Sequence, residues 1–249
     1  LQAYDKIYKE ARKQRNIAAN KVFNLYKINP NKMQAAALNN IARLRKEGKD
    51  RALLISATGT GKTFLSAFDV RVVNPKRCLF IVHRGLIARN SLKSFRQIID
   101  PHITMGLYTS GAKNVDADYI FATVQTLNQE ENLHAFAPDT FDYIIVDEAH
   151  RVGANTYQKI LKYFRPKFLL GMTATPERTD GYDIFKDFNY NIAYEIRLNQ
   201  ALSENMLVPF HYHGVSEITV NGELLDDHAD FNRLVSEERV KHILHFADF

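Results

Sequence analysis

Residues 56–63 read Ser-Ala-Thr-Gly-Thr-Gly-Lys-Thr and follow directly on the apolar run Ala52–Ile55. No other stretch restricts the possible folds as much. Gly59 and Gly61 carry no side chain, so the backbone can wrap closely around an anion. The helical rhythm that follows places that turn at a helix N-terminus, where N–H groups and the helix dipole favour negative charge. A strand, a glycine-rich turn and a helix in immediate succession suit a parallel sheet with crossover helices. The apolar runs Cys78–Val82, Tyr119–Ala122, Tyr143–Val146 and Phe168–Leu170 continue the pattern, alternating with helical stretches. Strands that are apolar throughout are covered on both faces. The expected fold class is therefore α/β, a doubly wound and mostly parallel sheet.

The flanks differ from this middle. Tyr4, Ile7, Ala11, Ala18, Val22 and Leu25 recur at helical spacing, so residues 1–27 are expected to form an N-terminal helical segment. Asn29-Pro30-Asn31 breaks it, and a second helix is expected from Lys32 to Gly48 with Met33, Ala37, Ile41 and Leu44 on one face. The basic residues Arg43, Arg45, Lys46 and Lys49 are expected on its solvated side. The sheet-forming domain is placed at 28–200. Residues 201–249 are expected to be a linker and the opening of a further lobe, with Gly222–Asp227 as a polar turn before a final helix. The missing initiator Met and the abrupt end suggest a piece of a longer chain.

Composition excludes little but is consistent. Hydrophobic residues make up 45% and charged residues 24%, ordinary for a globular protein. No apolar run approaches the ~18 residues a membrane helix needs, and no membrane partner is expected. The lone cysteine, Cys78, lies in an apolar run and reads as a buried strand residue. With no internal disulfide possible, a cytoplasmic location is expected. The net charge of +5 suits a nucleic-acid partner.

Polar clusters follow four of the apolar runs: Ser56–Thr63, Thr123–Thr126, Asp147–His150 and Thr173–Thr175. In an open α/β sheet ligands bind beyond the carboxyl ends of the strands, so four clusters in register describe one site. The first matches the P-loop, with Ser56 where the general pattern has glycine. Lys62 would reach the β- and γ-phosphates of a nucleotide, and the Thr63 hydroxyl would coordinate Mg²⁺. Asp147 ends an apolar run and would hold the same ion, while Glu148 would orient and deprotonate the attacking water. Alone, two adjacent carboxylates also describe a solvated turn; beside a P-loop they describe a hydrolytic site.

These residues carry a resemblance. ATGTGKT at 57–63, DEAH at 147–150 and TAT at 173–175 resemble motifs I, II and III of superfamily 2 helicases. The stretch from DEAHRVGANTYQ to GMTATPERTDG is similar to the restriction-subunit-like branch, DNA translocases that include type I and type III restriction motors. NIAYEIRLNQALSENMLVPFHYHGV extends the likeness to large bacterial helicases with an upstream phospholipase-D-like nuclease domain. The resemblance spans residues 28–215. It implies a RecA-like P-loop NTPase lobe with ATP and Mg²⁺ as cofactors, bound through Thr58, Gly59, Thr60, Gly61, Lys62 and Thr63. Gln34 is similar to the glutamine that reads adenine; its other reading is an exposed helix residue. His150, Thr173 and Thr175 would couple hydrolysis to a second lobe.

Nucleic-acid contacts are implied at His83-Arg84-Gly85, with Arg84 foremost, and around Thr123 and Thr126, whose other reading is helix capping. Such contacts would touch phosphates without reading sequence, and DNA is preferred on the resemblance. An RNA helicase of the DEAD/DEAH class would share motifs I–III and is the alternative. A phosphotransferase or transporter ATPase would share only the P-loop. A binding module would not need Lys62, Thr63, Asp147 and Glu148 together. No second P-loop-like sheet and no QxxGRxxR motif follows, so this stretch alone is expected to bind ATP and hydrolyse it weakly. The partner expected for full activity is a second RecA-like lobe.

Overall fold

The computed structural model describes residues 28–177 and 180–203, and beyond them 219–220 and 223–224. The expected helix of residues 1–27 and the final helix lie outside the described residues. The chain divides after Leu207 into two compact units.

Among the described residues, the first element of the larger unit is helix α1 (Lys32–Lys46). Asn31 is its N-cap: its side chain accepts the Gln34 N–H at 2.8 Å, and Gln34 Oε1 accepts the Asn31 N–H at 3.0 Å. This reciprocal capping box explains why the Asn-Pro-Asn break starts a helix. The helix ends at Lys46, two residues short of the expected Gly48, which lies in a left-handed conformation.

Then follow β1 (Arg51–Ser56), α2 (Lys62–Val73), β2 (Cys78–Val82), α3 (Gly85–Arg96), β3 (Met105–Thr109), β4 (Ala112–Lys113) and β5 (Tyr119–Thr123). The short helices α4 (Val124–Leu127) and α5 (Glu130–Leu133) lead to β6 (Tyr143–Asp147), α6 (Asn155–Tyr163), β7 (Phe168–Thr173), β8 (Ile192–Ile196) and α7 (Leu198–Ser203). The eight strands form one sheet in the order β4-β3-β5-β2-β6-β7-β1-β8. Every pairing is parallel except that of β4 with β3. The expected doubly wound sheet is therefore present.

Its two faces bury separate cores. Alternation along β1 sends Ala52 and Leu54 to the face covered by α1, α2 and α3, and Leu53 and Ile55 to the face covered by α4 and α6. Cys78 is buried, as expected for a strand residue.

Four expectations need correction. Five strands were legible and the sheet has eight: β3 and β8 alternate buried with half-exposed residues instead of running apolar throughout, and β4 is only two residues long. Arg45 is not on a solvated face. Its guanidinium pairs with the buried Asp69 carboxylate and lies over the Phe168 ring, 4.9 Å from the centroid. The stretch Gly222–Asp227 is not wholly a turn. Strand β10 (Glu223–Leu224) pairs antiparallel with β9 (Thr219–Val220) in the smaller unit. Lastly, three strands outrun their apolar runs, because Ser56, Thr123 and Thr173 are themselves the final residues of β1, β5 and β7, whereas Asp147 ends β6 as expected. Among the described residues no helix is long and apolar enough to cross a membrane.

Candidate active site

The P-loop joins β1 to α2. Gly59 and Gly61 have φ of 87° and 84°, a left-handed region open to glycine at little cost. Gly61 is the N-cap of α2 and supplies no side-chain cap, so the first-turn amides are left to an external acceptor such as a phosphate. Ser56 is fully buried, and its hydroxyl lies 2.6 Å from Thr60 Oγ1. Thr60 spends its one proton on the Ala57 carbonyl at 2.7 Å, so Ser56 is the donor to Thr60. That bond is how a serine serves where the general pattern has glycine. Lys62 Nζ donates to the carbonyls of Ser56 at 2.9 Å and Ala57 at 3.2 Å, which keeps the ammonium inside the loop. Burial lowers the pKa of Lys62, and the charges of Asp147 and Glu148 oppose that shift. Thr58 and Gly59 form the exposed tip.

Gln34 is buried, which rules out the exposed-helix reading. Besides its part in the capping box, its Nε2 donates to the Gly61 carbonyl at 3.2 Å. A side-chain amide offers two lone pairs and two protons, so one of each remains after these bonds. That remainder matches the adenine edge, which presents one acceptor, N7, and one donor, the N6 amino group. Gly61 has a second reason to lack a side chain, since a Cβ there would come within 2.8 Å of Gln34 Nε2.

Asp147 sits at the tip of β6, two strands from β1 across β7. Burial and the neighbouring Glu148 raise the pKa of its carboxyl, while the Glu148 N–H, 3.0 Å from Oδ1, and Lys62 lower it. A divalent cation beside Asp147 and the Thr63 hydroxyl would offset that cost, so the residues present suit Mg²⁺. Glu148 adopts the left-handed conformation at φ 56° and ψ 48°, strained for a residue with a side chain. Its Oε2 lies 3.3 Å from His150 Nδ1. His150 Nδ1 is also 3.1 Å from Thr173 Oγ1, which in turn accepts the Thr175 N–H at 3.2 Å. His150, Thr173 and Thr175 thus form one chain of contacts beginning at Glu148.

On the other side of β6, the neighbouring tips of β2 and β5 carry the segments expected to meet nucleic acid. Arg84 is exposed. Thr123 and Thr126 are buried and their hydroxyls bond each other at 2.8 Å, so neither caps a helix through its side chain. Gln125 projects instead and meets His83 Nδ1 at 2.9 Å. Burial, with Arg151 and Arg84 nearby, lowers the pKa of His83, and Glu148 opposes this. Buried Asn132, which no sequence pattern singles out, donates to the Thr126 carbonyl at 3.0 Å and accepts from Lys113 at 2.6 Å, bracing this loop.

Fold and site together define a RecA-like P-loop NTPase lobe. Residues 27–178 match the model of the type III restriction enzyme res subunit, and the chain belongs to that family. A type I restriction enzyme EcoAI endonuclease subunit from Escherichia coli is 30% identical over 244 residues, covering 85% of this chain. The chain spans only 29% of the length of that relative. Solved structures share the fold, among them two with DNA bound. The type ISP restriction-modification enzyme LlaBIII bound to DNA matches 72% of this chain and 16% of its own, with a TM-score of 0.58 at 20% identity. The SWI2/SNF2 ATPase core of Sulfolobus solfataricus in complex with dsDNA matches 66% and 36%, with a TM-score of 0.54 at 22% identity.

Proposed function

We propose that this lobe is the ATP-binding half of a DNA translocase or helicase of the restriction-motor branch, driven by Mg²⁺-dependent ATP hydrolysis. The observation that carries the proposal is the placement of Lys62, just beyond the end of β1, and of Asp147 and Glu148, at the end of β6, on the same edge of a parallel sheet with only β7 between them. The amides around Gly59–Thr63 and the Lys62 ammonium would hold the β- and γ-phosphates, and Gln34 the adenine. Thr63 and Asp147 would hold Mg²⁺, which when bound neutralises charge on the phosphate oxygens. Glu148 would take the proton from the attacking water. The contacts from Glu148 through His150 to Thr173 and Thr175 would carry the state of that site to a second lobe.

DNA is favoured because structures sharing this fold have been solved with DNA. Backbone contacts around Arg84 and Gln125 would be largely independent of sequence. We assign residues 28–200 to the motor lobe and 201–249 to a linker and the opening of a second lobe, in a cytoplasmic protein. Phosphoryl transfer needs charge stabilisation at the γ-phosphate, and an arginine finger is worth ~10³–10⁵ in rate. This chain alone should therefore bind ATP and turn it over weakly.

The test is steady-state ATPase of the full-length protein with duplex DNA, single-stranded DNA or RNA, with and without Mg²⁺, and across salt concentrations. Stimulation by DNA that declines steeply with salt is expected. Stimulation by RNA alone would favour the RNA-helicase alternative, and none by any nucleic acid would sink both.

A further inference from the structure

Helix α1 is tied to the P-loop helix α2 by a polar contact near each end. At the start of α1, Gln34 Nε2 meets the Gly61 carbonyl. Eleven residues on, about 16 Å along the helix at 1.5 Å per residue, Arg45 Nη1 donates to Asp69 Oδ2 at 2.9 Å, and Nη2 bonds the other carboxylate oxygen. The Tyr143 hydroxyl, at the start of β6, donates to the same carboxylate. Tyr143 stacks on Phe168 with ring centroids 5.6 Å apart, and the Arg45 guanidinium covers Phe168. Asp69 is 2% exposed, so this is a planar, desolvated fork of the kind arginine makes and lysine does not.

Such a pair is weak evidence for stability, because apolar residues of similar volume often serve as well; its best-attested use is fixing register. Register matters here. The contact of α1 with the sheet is the apolar face of Met33, Ala37, Ile41 and Leu44, and apolar burial is non-directional. It resists separation but permits small slides and tilts. The amide of Gln34 tolerates little of either, since productive geometry must hold within ~0.5 Å.

We propose that Arg45 and Asp69 are positioning residues for nucleotide selectivity, clamping the far end of α1 so that the Gln34 amide stays aligned with the base. The proposal rests on the reading of Gln34 as the adenine-recognising residue. Guanine presents an acceptor, O6, where adenine presents a donor, so alignment of the amide is what separates ATP from GTP. The phosphate grip of Lys62 does not depend on it.

The test is the ratio of kcat/KM for ATP to that for GTP in the full-length protein. The variants are R45K, which keeps charge but loses the fork, and R45M/D69M/Y143F, which removes the clamp without stranding a buried charge. Q34A is the control. In the triple variant the ratio should fall roughly tenfold, the size of one lost hydrogen bond. The fall should come from a raised KM for ATP, with GTP unchanged and R45K intermediate. A ratio equal to wild type, or equal losses for both nucleotides, overturns the proposal. If the triple variant does not fold, R45K decides alone, and a wild-type ratio there overturns it. If Q34A collapses the ratio and the clamp variants do not, the clamp alone is refuted. If Q34A leaves the ratio intact, the adenine reading and the clamp fail together.

Discussion

His150 Nδ1 and Thr173 Oγ1 lie 3.1 Å apart, joining the loop after β6 to the last residue of β7. The same hydroxyl meets the Thr175 backbone, so it links the DEAH and TAT segments. Thr173→Val keeps the shape and removes the link. In the full-length protein we expect nucleic-acid-stimulated turnover to fall roughly tenfold or more, the cost of lost hydrogen bonds at a buried position, with little change in nucleotide affinity. Fluorescent-nucleotide titration beside steady-state ATPase checks this. Parallel losses in binding and turnover would count against a coupling role.

Lys62→Ala removes the ammonium now held by the Ser56 and Ala57 carbonyls. Hydrogen bonds from charged groups contribute about 1.5–3 kcal/mol, so ATP affinity should drop by about ten- to a hundredfold in calorimetry. An unchanged Kd would refute the P-loop assignment.

Glu148→Gln preserves size and polarity but removes the proposed base. Turnover of the full-length protein should fall ~10²–10⁴-fold while ATP still binds. Normal turnover would mean another group activates the water.

Asp147 gives a prediction in pH. Burial first, and then Glu148, push its carboxyl above the usual range. A carboxyl raised in the fold binds its proton more tightly there than in the unfolded chain, so its ionisation costs stability above that raised pKa. Without nucleotide or divalent cation, Asp147→Asn should melt at a higher temperature than wild type at pH 7. The gain should vanish as pH falls through the raised value and into the ordinary carboxylate range. Equal Tm values at pH 7 in scanning calorimetry would show that the ionised carboxylate is not held at a cost.

Gly171 tests the fold apart from the chemistry. A Cβ there would come within 2.2 Å of Phe188 Cζ, a ring fully buried against β7. Gly171→Ala should destabilise by about 1–3 kcal/mol in urea titration, typical of overpacking. A neutral result would mean that Phe188 relocates freely.

What could be read from residues alone follows a physical division. Strands buried on both faces, such as Cys78–Val82, announce themselves as apolar runs, and the polar residues ending them announce the site. Strands β3 and β8 do not, because half their residues face outward and their composition resembles a loop. Lys62, Asp147 and Glu148 were legible as candidates because the proposed chemistry demands particular residue types at particular strand ends. Arg45 and Asn132 were not: each acts through a partner distant in sequence, Asp69 or Lys113, and nothing local marks an arginine that turns inward. The Asn31–Gln34 capping box lay in the sequence pattern Asn-x-x-Gln, yet its bond to Gly61 needed the fold.

Because Ser56, Thr173 and Asp147 are the closing residues of adjacent strands β1, β7 and β6, the lattice of the sheet sets their spacing. Neighbouring strands stand about 4.7–4.9 Å apart, so the strands that end in Ser56 and Asp147 run two such steps, about 9.5 Å, apart, and the register sets Asp147 level with Leu54. That pitch is a property of backbone hydrogen bonding and is indifferent to side chains. Loops beyond the strand ends can therefore be lengthened, exchanged or rewired to new partners while the gauge between the strands that carry Ser56 and Asp147 stays constant.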